Sequence, residues 1–258
     1  MDKNLKHRLL GNIPIPLKDI CFVHSLKIKE ILYDIDKYET MLSNLIIELK
    51  DIIPDKKELV NISTFDIIVF NILGDQNGEY LKYILNAIKT FVKADVTFYY
   101  TPLENLDEIP NNAYFIIGDS NKPEECKFLG KEDYDYFKYI LKKSNCLKNP
   151  EKEKYNPAGP MAQSIIDKIK KREKFIEKQK IEFEGELQLC DTISAVVAKS
   201  NSLNMVDIGK LNLYQLYDQL EEIQMIEEYE INIKSLLAGC DPDKINVKHY
   251  LRPKSNNV

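Results

Sequence analysis

Apolar residues three and four positions apart recur along this chain, and that period limits what it can build. From Lys27, the residues Ile28, Ile31, Leu32, Ile35 and Tyr38 keep the step, and Met41, Leu42, Leu45, Ile46 and Leu49 carry it on to Lys50. The spacing predicts an amphipathic helix or helix pair, stopped by Pro54, whose apolar stripe needs a partner surface. Ahead of it, Pro14 and Pro16 within residues 11–20 remove ladder donors and favour an irregular or edge-strand lead-in. Ser63 or Thr64 is placed to cap a second helix through Phe65, Ile67, Ile68 and Phe70, which the Gly74 to Gly78 stretch ends. Tyr80, Leu81, Tyr83, Ile84, Leu85, Ile88 and Phe91 put apolar groups on more than one side of a third helix, so it should lie near the centre of its domain.

The period then changes. Residues 96–100 (Val-Thr-Phe-Tyr-Tyr) and 113–117 (Ala-Tyr-Phe-Ile-Ile) are β-branched and aromatic, and Glu125 to Leu129 forms a third short run after a turn from Gly118 to Pro123. A small antiparallel sheet is expected, followed by a helix over 133–143. Two Asn-Pro steps and Gly159-Pro160 argue against helix or strand from Ser144 to Pro160. We therefore divide the chain into an N-terminal mixed domain (1–148), a linker (149–160) and a C-terminal helical domain (161–258). The fold class expected is α+β, dominated by helix. In the second domain Ala162, Ile165, Ile169, Ile176 and Phe183 sketch a narrow coiled-coil seam, and a helix is expected over 187–200. Asn212 and Gln215 have the spacing of a capping box, with Asn in place of Ser or Thr. The helix they open should reach Glu228 at least, break or bend before Ile231, and resume to a cap at Gly239.

Function classes narrow by chemistry. A net charge of −5 disfavours general nucleic-acid binding, which needs a basic surface or stripe. One stripe exists, Lys168, Lys170, Lys171, Arg172, Lys174, Lys178 and Lys180, but Asp167, Glu173, Glu177 and Glu182 interleave it and favour a solvated helix face. Glu221, Glu222, Glu227, Glu228 and Glu230 cluster without an intervening cation. They suit a solubilising surface, a basic partner helix, or the lysine-rich helix of the same or a neighbouring subunit. Five scattered cysteines fit a reducing compartment and small buried side chains better than a disulfide framework. Cys21 and His24 could supply two metal ligands, and no second cluster completes a site. The three histidines sit outside any triad arrangement, Asp241-Pro242-Asp243 lacks the rest of a calcium loop, and neither a P-loop nor GxGxxG occurs. No enzyme and no cofactor are expected. The N-terminus lacks a secretory h-region and no apolar run approaches about 20 residues, so a cytosolic protein without membrane spans is expected.

The ordered motifs carry a resemblance. Ile13-Pro14-Ile15-Pro16-Leu17, Ile20-Cys21 and Lys27-Ile28-Lys29-Glu30-Ile31 stand at the front, with Tyr134-Asp135-Tyr136-Phe137 and Asn156-Pro157-Ala158 in the middle. Leu189-Cys190-Asp191-Thr192-Ile193-Ser194, Asn201 to Leu203, Leu213-Tyr214-Gln215-Leu216-Tyr217-Asp218 and Leu237-Ala238-Gly239 close the series. Together they resemble proteins encoded near the tape-measure gene in tailed phages of low-GC Gram-positive bacteria (Firmicutes). His249-Tyr250-Leu251 departs from the resemblance, which leads one to expect a His-Trp step. The resemblance implies a tail assembly chaperone that coats the tape-measure protein in the bacterial host cytoplasm, with tape measure or other tail proteins as partners and homo-oligomers compatible. Ile165, Ile169 and Ile176, or Leu213, Leu216 and Leu220, would then be the partner-binding stripes. A structural tail or baseplate component and a nucleic-acid-associated phage regulator are the alternatives.

Overall fold

The computed structural model describes residues 3–48, 62–101, 113–119, 122–147, 188–241, 245 and 247–251. Helix α1 (Lys3–Leu10) buries Leu5 and Leu9, and a tight hairpin follows, β1 (Ile15–Leu17) antiparallel to β2 (Cys21–Val23). Pro16 is tolerated because this two-stranded ribbon has only edges, so the lost donor breaks no inner ladder. The period from Lys27 resolves into a helix pair, α2 (Ile28–Tyr33) and α3 (Ile35–Ile46). Asp34 makes the break, its carboxylate accepting from the Lys37 N–H at 3.1 Å to cap α3.

Helix α4 (Thr64–Gly74) is apolar on nearly every side and buries Phe65, Ile67, Ile68, Val69 and Ile72. Ser63 and Asp66 form a reciprocal capping box at its start: Ser63 Oγ accepts from the Asp66 N–H at 3.1 Å, and the Asp66 carboxylate accepts from the Ser63 N–H at 3.0 Å. Gly78, at φ 67°, turns the chain into α5 (Glu79–Val92). Strands β3 (Val96–Tyr100), β4 (Ala113–Ile117) and β5 (Lys127–Leu129) form an antiparallel sheet in that order, with Phe98 opposite Phe115 and Phe115 opposite Leu129. The third strand is shorter than the sequence predicts because Pro123–Glu125 is taken up by a 3₁₀ turn. Helix α6 (Lys131–Ser144) packs across α3 and α4.

Its Tyr134 is the centre of an aromatic cluster, 5.6 Å from Phe65 and 5.5 Å from Phe137 between ring centroids. The Tyr134 hydroxyl is fully buried yet satisfied, donating to the Leu45 carbonyl at 3.0 Å and so tying α6 to the end of α3. Beside it, Lys138 and Lys142 both reach the Glu48 carboxylate, and Lys138 also donates to Thr64 Oγ1 at 2.7 Å.

The C-terminal elements are α7 (Leu189–Lys199), α8 (Met205–Ile208) and α9 (Leu213–Leu237). The break expected before Ile231 does not occur: α9 is one helix of 25 residues. Residues 213–237 contain neither Pro nor Gly, and the ladder has no chemical reason to stop. It ends where the sequence predicts, with Gly239 at φ 87°. The Gly239 N–H donates to Leu236 O and the Cys240 N–H to Ser235 O, the paired bonds of a Schellman motif. The proposed 149–160 linker and the 162–183 seam lie outside the described residues. On either side of them, Leu9, Ile31, Leu45, Phe91 and Phe137 belong to the same hydrophobic cluster as Ile193, Val196, Leu213 and Leu216.

Candidate interaction surface

The joint between the two ends of the chain positions everything beyond it. Asn212 is fully buried and makes bonds in two directions. Its Oδ1 accepts from the Gln215 N–H at 2.8 Å and its own N–H donates to Gln215 Oε1 at 2.9 Å, completing the capping box of α9. Its side-chain amide donates to the Leu9 carbonyl at 3.0 Å, a second bond beside the one that acceptor takes from the Asn12 N–H at the end of α1. Ser or Thr could do the first task and not the second, which explains Asn at this position. Gln215 adds a bond to Leu10 O at 2.7 Å, and the Ile28 and Lys29 N–H groups donate to Leu211 and Gly209 carbonyls at the start of α2.

With α9 anchored there, its first turns are spent on the interior. Leu213, Tyr214 and Leu216 are buried and Leu220 is half-buried against the same cluster. Of the six residues expected to bind a partner, Leu213 and Leu216 therefore contact the chain's own core, Leu220 lies at its margin, and Ile165, Ile169 and Ile176 lie outside the described residues. Burial pushes the Tyr214 hydroxyl and the nearby Cys146 thiol up, each to about 12, so both are neutral at physiological pH.

The far half of α9 behaves differently. Ile226 (36% exposed), Ile231 (61%) and Leu237 (83%) are open, and on α8 Met205 (57%) and Val206 (76%) are too. Periodicity alone could not separate these residues from the buried set, because it marks apolar helix positions and not which of them the fold covers. The acidic cluster sits among them and is partly neutralised: Glu227 pairs with Lys199 of α7 at 2.5 Å and Glu230 with Lys234 at 3.3 Å. Tyr229 meets the returning tail, its ring 5.2 Å from His249 and 5.6 Å from Tyr250, so His249 is a packing residue.

Cys21 is half-buried, and burial pushes its thiol up to about 11; His24 is pushed down by burial and by the Lys93 charge. Among the described residues no group of three His, Cys, Asp or Glu is placed to hold a metal ion, and no helix is long and apolar enough to cross a membrane. The lysine-rich stretch 168–180 lies outside the described residues.

Residues 177–253, which include α7, α8 and α9, match the family model described as the YomV second domain, of a Bacillus phage-related family. The match covers less than a third of the chain and is consistent with a phage protein. No curated protein and no solved structure matches the chain.

Proposed function

We propose that this chain is a tail assembly chaperone of a tailed phage, a non-catalytic protein that holds the tape-measure protein in the bacterial host cytoplasm before the tail tube polymerises. The observation that carries the reading is the set of exposed apolar side chains on α8 and distal α9, Met205, Val206, Ile226, Ile231 and Leu237, within the phage-related segment. A scaffold-type holder needs such side chains on an anchored element, and the first turns of α9 are buried in the core. Amphipathic segments of a partner would bury open side chains of this set, each contributing about 1–2 kcal/mol. The ordered motifs that resemble proteins encoded beside tape-measure genes point to the same partner. Neither a catalytic group nor a cofactor enters this reading, and nucleic acid is not its partner.

The test is co-expression with a tape-measure fragment from the same phage. Tagged wild-type chain should keep the fragment soluble and co-purify with it, whereas Ile231→Asp combined with Leu237→Asp should lose the fragment while melting as wild type does. Co-purification unaffected by that pair of substitutions would move binding to another surface. A fixed number of copies in purified virions would replace the chaperone with a structural tail component.

A further inference from the structure

Among the described residues the three-stranded sheet has an open side. Strand order β3-β4-β5 leaves β3 at an edge, and among the described residues its only strand neighbour is β4. The Gly118 N–H donates to the Asp95 carbonyl, and these two residues stand opposite one another in the β3–β4 register. That fixes the alternation: Thr97 and Tyr99 turn their backbone groups toward β4, and Val96, Phe98 and Tyr100 turn theirs outward. Natural edge strands are blunted with charge, proline or a bulge, and Val-Thr-Phe-Tyr-Tyr has no charge and no proline. Val96 is buried, and the side chains beyond it are open on both faces. On the outer face Tyr99 is 48% exposed and stacks on Tyr114 with centroids 5.1 Å apart, and Tyr114 meets the exposed Phe128 at 5.0 Å. On the inner face Tyr100 is exposed and stacks on the half-buried Phe98 at 5.9 Å.

We infer that the outer edge of β3 pairs antiparallel with β3 of a second copy of this chain, giving a six-stranded sheet across a two-fold axis at Phe98. Three observations select a second copy. The outward backbone groups are those of Val96, Phe98 and Tyr100, so a two-fold at Phe98 sets every outward group against another: Val96 opposite Tyr100 of the second copy and Phe98 opposite its counterpart. The same symmetry places Thr97 against Tyr99, a β-branched and aromatic pair that extends the Tyr99–Tyr114–Phe128 row. Charge agrees as well: two copies of a chain at −5 repel, and β3 is a stretch where they meet without bringing like charges together. Exposed portions of Tyr99 and Tyr100 offer roughly 200 Å² per copy, short of the about 800 Å² of a standard interface, so the dimer is weak and concentration-dependent.

Analytical ultracentrifugation of the full chain from low micromolar to several hundred micromolar tests this directly, with hydrogen exchange of the β3 amides followed over the same range. The wild-type protein should dimerise reversibly, and the Val96, Phe98 and Tyr100 amides should gain protection as it does. Thr97→Lys, at an exposed site, should weaken the dimer about tenfold or more and leave the melting temperature unchanged, while Phe70→Lys, exposed on α4, should leave dimerisation unchanged. A protein that stays monomeric throughout overturns the inference. So does a dimer indifferent to Thr97→Lys, or one whose β3 amides exchange at the same rate in monomer and dimer.

Discussion

Two side chains show how much a single residue settles in this fold. Asn212 is a cap, and it is also a strut, since one buried amide group serves the first turn of α9 and the Leu9 carbonyl of α1. These roles separate by substitution. Asn212→Ser keeps the cap and abandons Leu9 O, which should cost about 1 kcal/mol; Asn212→Ala abandons both and should cost about 2–3 kcal/mol, read from urea unfolding at pH 7. Asp66 is the second case. Burial alone would raise its carboxyl, but hydrogen bonds from Lys131 and from Ser63 outweigh that and hold it below the ordinary carboxylate value. A depressed folded value means stability that is complete above the unfolded value of about 3.9 and fades as pH falls through the folded one. Asp66→Asn should therefore cost about 1–2 kcal/mol at pH 7, with the gap from wild type closing as the protein is acidified. A gap that stays constant into acid would show that the carboxylate charge contributes nothing.

At the scale of elements, Gly239 ends α9 with a positive φ and with open space where a Cβ would stand. Gly239→Ala therefore strains backbone without a clash; about 1 kcal/mol is lost locally, and faster amide exchange over the last turn is the signal to measure. Most elements of this size were legible in the sequence. Strands β3 and β4 fall on the predicted residues because Val, Thr, Phe, Tyr and Ile there have no competing helical period, and of the two expected caps, Ser63 and Thr64, it is Ser63 that caps, in a box with Asp66. What the sequence left open or misplaced has a cause each time. Asp34 splits the helix pair through a side-chain cap that the apolar pattern does not register, and the bend expected near Ile231 had no breaker behind it. Distinguishing the buried Leu216 from the exposed Ile231 was beyond periodicity, since both occupy apolar helix positions and only the tertiary docking of residues 209–215 onto α1 and α2 decides which turns are covered.

For the whole molecule the decisive fact is that the two ends of the chain share one core. Leu216 is fully buried in a cluster that includes Leu9, Leu45 and Phe137, more than seventy positions away in sequence. Leu237 on the same helix is open to solvent. If the elements before residue 148 and those after 187 were held only by a tether, truncating Leu216 would loosen α9 and leave the rest intact. A shared core predicts otherwise. Leu216→Ala should cost about 3 kcal/mol, the penalty of a lost isobutyl group and the cavity it leaves, and Leu237→Ala nearly nothing. The loss should be felt everywhere at once: amide exchange at Leu45 in α3 and at Tyr217 in α9 should accelerate together in the variant, through one global opening. Exchange that speeds up in α9 alone would mean that α9 opens independently of α3. In that case the buried stripe of Leu213, Leu216 and Leu220, and not only the distal surface, would be within reach of a partner helix.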